Sequence, residues 1–468
     1  MRHFLKNGRA LRATVTVLIS AAALGACNAA KNDLLEAPDP DIIDPSAVQS
    51  APGANAVRVG ALSRLRLATV GNSSDGTWLL GGLLADEWST SSTFVQNDEV
   101  DERQVSNSNS SVEGSLRGWY RVPTSANQAI QLLNKYRPAP SSDIAEMYFI
   151  RGISQMQLAS DFCNGIPLSD AAGDVVKLGT PLTVAQVFTI AVASFDSALA
   201  LSSATDAASV SIKNAAAIGK ARALLGLNQI AAAGAAVAGI PTTYTYDVTS
   251  SLSGGNNFIW SQGLSSRRYT IGDSLEGNDH KLFVKNAIPF YSSKDPRLPS
   301  NYTVSSKGDT TKSQDGLTYS RTTPLYGQVT SMAVVNGIDA RLIEAEAALK
   351  AGNAAQMMTI LNALRATPLT IGTLTTTATT LAPLADPGTA DSRLNLLFRE
   401  KAFWTFSRGE RLGDLRRLVR QYGRTADQVF PVGAHYRGTN YGPDVNLPIV
   451  QAEANGNINF TGCIDRAA

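Results

Sequence analysis

Two clusters of side chains in this 468-residue chain have the composition of a binding site. Asp86-Glu87-Trp88 sets two acids beside an indole, with Trp78 and Phe94 close in sequence. Trp260 and Tyr269 stand in a second stretch, one rich in Gly, Ser, Asn and Thr. Flat aromatic faces stack on apolar C–H surfaces, while a few polar groups fix orientation. The candidate ligand contacts are therefore Asp86, Trp88, Phe94, Trp260 and Tyr269. Core packing competes with binding for each aromatic. Trp119 and Tyr120 fall inside a helical pattern and are assigned to the core. Trp88 and Trp260 fall outside regular helices, where binding residues concentrate.

Catalysis has little to work with. The chain holds no G-x-S-x-G, no G-x-x-x-x-G-K-[ST] and no H-E-x-x-H, the spacings that expose a nucleophile, cradle phosphates or bind a catalytic zinc. A glycosidase needs two carboxylates facing each other about 5 to 9 Å apart across the bond. Asp86/Glu87 and the acids between Asp98 and Glu102 are adjacent in sequence and read as a solvated face. Calcium binding by Asp98, Asp101 and Glu102 lacks a glycine-centred loop. Once residues 1–27 are set aside, His280, His435, Cys163 and Cys463 are too few for a zinc site. No enzyme activity, metal or cofactor is expected.

Charge narrows the partners. The formal charge is +2. Four of the positives, Arg2, Lys6, Arg9 and Arg12, precede Cys27 with no acid among them, so the rest of the chain carries −2. Without a basic stripe, nucleic acid is not the expected partner.

Those four positives form an n-region, followed by an apolar run over 13–24 that is too short to span a bilayer. The run ends in Leu24-Gly25-Ala26-Cys27, which resembles a bacterial lipobox. Lipidation at Cys27 is the expectation, with several acyl chains giving stable anchoring. Export would place Cys163 and Cys463 in an oxidising setting. They could form one bridge or remain two buried thiols, and sequence leaves both readings open.

The elements that must position these residues are mostly helical. Apolar spacing predicts helices over 47–69, 112–136 and 143–162, and another capped by Thr183. Alanine-rich 209–238 divides near Gly226-Leu227-Asn228, and 337–366 divides at Gly352-Asn353, each into two antiparallel pieces. Paired helices of this size with small residues at their crossings suggest tetratricopeptide-type stacking; a plain all-α bundle is the alternative. Between 241 and 335 the pattern is lost, and the aromatic density argues for an ordered insertion with short helices and a hairpin. Asp391 is expected to cap a helix through Phe406, and a second helix follows to Tyr422. Asp414 is placed to pair with Arg417 or Arg411. The expected class is mainly α: a tetratricopeptide-like helical-pair superhelix with an irregular loop-rich insertion and a C-terminal cover. Its parts are a signal peptide (1–26), a tether (27–46), a first helical part (47–240), the insertion (241–335) and a second helical part with the cover (336–468).

Four segments carry a resemblance. They are the lipobox, the lead-in from Leu34-Leu35-Glu36 to Ile42-Ile43-Asp44-Pro45, the stretch from Arg399-Glu400-Lys401-Ala402-Phe403 to Arg411-Leu412-Gly413-Asp414-Leu415-Arg416-Arg417, and Asp444-Val445-Asn446-Leu447-Pro448-Ile449. In this order they resemble the SusD/RagB-like nutrient-uptake outer-membrane lipoproteins. The resemblance spans the chain from Cys27 on, with gaps in the insertion. It implies an outer-membrane, lipid-anchored protein facing the cell exterior. It also implies capture of an oligosaccharide or other polymeric nutrient, and a TonB-dependent SusC-like transporter as partner. A helical-repeat scaffold of the envelope that binds peptide or protein partners is the alternative.

Overall fold

Opposed apolar stripes and short polar turns fold the first half of the chain into helices that pack on their sequence neighbours. The computed structural model describes residues 48–71, 76–173, 175–277, 280–308, 310–377 and 381–468. The signal peptide and tether expected over 1–46, with Cys27 and the lead-in motif, lie outside the described residues. Ala54–Ala468 make one compact unit.

α1 (Ala51–Thr69) precedes two short helices, α2 (Thr77–Leu84) and α3 (Val95–Asp101), with strand β1 (Trp88–Thr90) between them. α4 (Ser110–Tyr136) pairs with α5 (Ser141–Asp161), and α6 (Val184–Leu201) pairs with α7 (Ala207–Gly226). Side chains close the N-terminal turns: Asn109 accepts the Val112 N–H, Thr183 and Gln186 form a reciprocal capping box, and Asp206 accepts the Ser209 N–H. α5 is buried on nearly every side, between α4, α6 and α7.

Glycines set the close approach at these crossings. A Cβ on Gly152 of α5 would lie 2.7 Å from the Phe195 ring of α6, and one on Gly219 of α7 would lie 2.4 Å from it. Phe195 is thus wedged between two helices stripped of side chain at the contact. Among the described helices, α6 alone is long and apolar enough to cross a bilayer by composition. Its buried side chains, Val187, Phe188, Ala191, Phe195 and Ala198, lie on the side it packs into its neighbours.

α8 (Ile230–Ala236) follows, and then the chain leaves the helical scaffold. β4 (Thr245–Val248) runs antiparallel to β10 (Met332–Asn336), so the insertion departs and returns through one two-stranded ribbon. α9 (Gly337–Lys350) resumes against α8 and pairs with α10 (Ala354–Ala366), which makes the helical stack continuous past the excursion. The fold is mainly helical, with tetratricopeptide-like pairs and few strands.

The insertion is ordered, with one short helical turn and more paired strand than the single hairpin expected. It holds a π-helical turn (Trp260–Ser265), strand β5 (Tyr269–Ile271), the antiparallel pair β6 (Leu275–Glu276) and β7 (Leu282–Phe283), and the pair β8 (Asn301–Tyr302) and β9 (Arg321–Thr322). Outside it, β2 (Ile166–Pro167) pairs with β3 (Pro181–Leu182), and β11 (Thr370–Ile371) with β12 (Leu374–Thr375).

α11 (Ala390–Trp404) and α12 (Arg411–Tyr422) complete the scaffold. Thr389 caps α11, not Asp391: its hydroxyl accepts the Ser392 N–H. The remainder is an irregular cover with one short helix, α13 (Gln451–Gly456). Cys163 and Cys463 are joined by a disulfide across 300 residues, fastening the cover to the end of α5. The Asn446 side chain donates to the carbonyls of Arg466 and Ala467 beside it.

Candidate ligand-binding surface

The segment from Arg399 to Arg417, the sharpest sequence motif, is a clasp and presents little of itself to solvent. Arg408 forks onto both oxygens of Asp339 at 2.8 Å. Arg411 forks onto Asp86 at 3.1 and 3.3 Å. Glu400 receives Arg297 and Arg365. Glu346, fully buried, receives Arg417, Lys401 and the Tyr422 hydroxyl. Asp414 accepts from Lys401 and Arg417 at 2.8 and 2.9 Å, so of the two expected partners Arg417 is the one it takes. Burial alone would raise Glu346, but Arg417 and Lys401 hold its carboxyl down to about 2. The motif thus ties α11 and α12 to α9, to the early segment and to the insertion.

The two candidate clusters meet. β1 runs antiparallel to β5 with Trp88 opposite Ile271 and Thr90 opposite Tyr269. The turn carrying Trp260 packs on the same indole: a Cβ on Gly263 would lie 3.2 Å from Trp88. Sequence gave no hint of this pairing, because two three-residue strands 180 residues apart carry no periodic signal.

The structure divides the five candidates into a buried floor and a partly open rim. Trp88 is 1% exposed, donates its indole N–H to Ser407 and packs on Phe406 with ring centroids 5.2 Å apart. Tyr269 is fully buried, and its hydroxyl accepts from the Asn97 amide at 2.8 Å. Asp86 is buried under Arg411 and also accepts the Ile288 N–H at 2.7 Å. These three position the surface, and their own polar atoms are taken up within the protein. Phe94 and Trp260 remain half-buried. The Arg268 guanidinium lies over the Phe94 ring at 4.5 Å and donates to Gln314 at 3.1 Å. A planar guanidinium stacked on a ring presents a flat face edged with donors.

Beyond Gln314 the surface continues along the insertion. Thr270 of β5 accepts the backbone N–H of Arg321 in β9, which brings the β8–β9 pair alongside. There the half-buried Tyr302 and Tyr319 stand beside the buried Tyr291, with ring centroids 5.0 Å (Tyr291–Tyr302) and 5.9 Å (Tyr302–Tyr319) apart, and His280 lies edge-on to Tyr302 at 5.3 Å. Lys294 sits 3.4 Å over Tyr291. Burial and the neighbouring Tyr291 push the Tyr302 phenol up to about 12, so it stays a neutral hydroxyl. Sequence reading noted these tyrosines as aromatic density and singled out none. Their signal was a count; the pairing of β8 with β9 brings Tyr302 and Tyr319 together with their rings at 75°.

The acids after Phe94 are engaged from the cover. Asp98 accepts Thr90 and pairs with Arg437 at 2.8 Å, and burial pushes its carboxyl up to about 6. Asp101 accepts the Thr90 N–H at 2.7 Å and the Tyr436 hydroxyl at 3.2 Å. They anchor the cover to the early segment. Among the described residues no cluster of His, Cys, Asp and Glu has the arrangement of a metal site.

Glu87 gives this junction a pH signature. Burial pushes its carboxyl up to about 8 from an ordinary 4.5, against a hydrogen bond from the Ser407 N–H at 2.9 Å. Between those two pH values the folded chain holds a proton that the unfolded chain has released, so stability falls as pH rises from about 4.5 to about 8. Glu87→Gln keeps a neutral acceptor for Ser407. Its advantage over the wild type should grow across that window, on the order of 4 kcal/mol by pH 8. Urea unfolding at pH 5 and pH 8.5 checks this; parallel pH profiles would refute it.

No protein-family profile and no curated protein matches the chain. Solved structures do. A SusD-like carbohydrate-binding protein from Bacteroides fragilis superposes with a TM-score of 0.63 at 14% identity, over 88% of this chain and 99% of that one. A second SusD-like protein from Bacteroides fragilis gives 0.61 at 14%, over 92% and 100%. The surface glycan-binding protein A of Bacteroides uniformis gives 0.61 at 14%, over 88% and 99%. Sequence identity this low conveys architecture, and the architecture spans nearly the whole of each chain: this protein has the fold of the SusD superfamily.

Proposed function

We propose that the chain is an outer-membrane lipoprotein, anchored through Cys27 and facing the cell exterior, that captures an oligosaccharide and hands it to a TonB-dependent SusC-like transporter. The observation that carries the reading is the β1–β5 pairing. It places Phe94, Arg268 and the turn of Trp260 around one junction and sets the tyrosine run beside it. Aromatic rings and hydroxyls in succession suit sugar rings, whose C–H faces are apolar and whose edges are polar. The lipobox supports the anchor, and the fold shared with a carbohydrate-binding protein and a surface glycan-binding protein supports the ligand class.

Two measurements test it. Calorimetric titration with starch, xylan, mannan and pectin hydrolysates should find at least one ligand. The Phe94→Ala/Trp260→Ala double variant should bind that ligand at least tenfold more weakly, with its melting curve kept. Wild-type binding to none of the four, or binding untouched by the double variant, would remove the reading. Cys27→Ser should move the protein from the membrane to the soluble fraction.

A further inference from the structure

Sequence motif and insertion meet a second time, away from the tyrosine run, at a cavity of about 300 Å³ between α11, α12 and residues 286–289. Its lining is half apolar, with Ile288, Phe398 and Leu415 on the floor; Arg399, Arg411 and Arg424 stand around it, and Asn395 and Gln428 add amide groups. No carboxylate is among its lining residues.

The three guanidinium groups are unequally engaged. Arg411 gives Nε and Nη2 to Asp86 from behind, which leaves Nη1 with no hydrogen bond among the described residues. Arg399 stacks on the Phe403 ring at 4.7 Å and acts on Asp295 through space, and makes no side-chain hydrogen bond among the described residues. Arg424 holds Asp391 at 3.2 Å, but that carboxylate's side chain is 80% exposed, so water screens the pair. The cavity therefore concentrates positive charge over an apolar floor.

We propose that this cavity binds the carboxylate-bearing ring of an acidic oligosaccharide, a hexuronate unit. Guanidinium forks match a carboxylate in shape and charge. The floor of Ile288, Phe398 and Leu415 matches the C–H face of a pyranose, and the volume lies at the lower end of the range for small ligand sites. The oligosaccharide class rests on the function proposed above; the anionic preference rests on this cavity alone.

The test uses tri-galacturonate and tri-glucuronate as probes, with maltotriose as the neutral counterpart and inorganic phosphate as competitor. The wild-type protein should bind at least one uronate probe, with affinity falling as salt is raised. Arg399→Gln/Arg424→Gln should weaken that binding at least tenfold and leave the melting curve in place, and Arg399→Lys/Arg424→Lys should recover part of it. Should the paired substitutions perturb the melt, Arg424→Gln alone, at a half-buried position at the C-terminal end of α12, is expected to lose at least threefold. Three results would overturn the proposal: no uronate binding, binding indifferent to the arginine variants, or complete displacement by phosphate at equal concentration, which would mark a bare anion site. Failure of the main reading shows separately, as neutral-sugar binding that ignores Phe94→Ala/Trp260→Ala.

Discussion

Glu346→Ala should destabilise the fold by about 3–5 kcal/mol, the range for removing one member of a buried ion network. Glu346 is fully buried and receives Arg417, Lys401 and the Tyr422 hydroxyl. Its removal leaves both cations facing Asp414 alone, in surroundings where uncompensated charge is costly. The same carboxyl shapes the acid limb of stability. Its value is depressed to about 2 from an ordinary 4.5, so its contribution is complete above about 4.5 and is lost as pH falls toward 2. Urea unfolding from pH 7 to pH 2 should show a steep loss in the wild type and a flatter profile in Glu346→Ala. A variant within 1 kcal/mol of the wild type at pH 7 would mean that the clasp is not where the helices are held.

Gly409→Ala should cost about 2–5 kcal/mol. Gly409 has φ +69, a conformation that costs a residue with a Cβ roughly 1–2 kcal/mol. The added carbon would also lie 2.1 Å from Cδ1 of Trp78, a buried indole of α2. Overpacking of that kind costs about 1–3 kcal/mol. The Gly409 carbonyl further accepts the Gln157 amide of α5. Three elements thus depend on one turn, and thermal unfolding should register the change as a large drop in midpoint. A midpoint shifted by less than about 2 °C would show that the turn relaxes freely.

The helical scaffold was readable because its helices are amphipathic or carry sharp punctuation. Thr183, Gly226 and Gly352-Asn353 fall at or beside helix ends, where the sequence pattern put them. α2 was not legible. From Trp78 to Leu84 its residues are apolar or glycine and all are buried, and a helix without a polar face has no period to detect. The strands of the insertion were hidden for a different reason: pieces of two to four residues are defined by their partners across the fold. The motif between Arg399 and Arg417 stood out clearly, yet its meaning was structural, because arginines that fork onto buried acids look the same in sequence as arginines that face a ligand.

Among the candidate contacts the same limit applies. Burial separates Trp88, Tyr269 and Asp86 from Phe94 and Trp260, and burial of a loop residue is decided by what packs over it. The insertion closes over Trp88 through Gly263, and Arg411 covers Asp86 from α12. Neither contact is local in sequence. The tyrosine run became visible only when β8 and β9 paired and carried Tyr302 to Tyr319.

The most direct test of oligosaccharide capture at this surface is a hydrogen-exchange footprint. Wild-type protein would be compared with and without the hydrolysate that binds best in the titrations. Slowed amide exchange over residues 91–97, 260–271 and 301–322, with the helical pairs α4 to α7 unchanged, is the predicted result. Protection confined to the helical pairs would contradict the account and favour a scaffold that grips its partner along the helices.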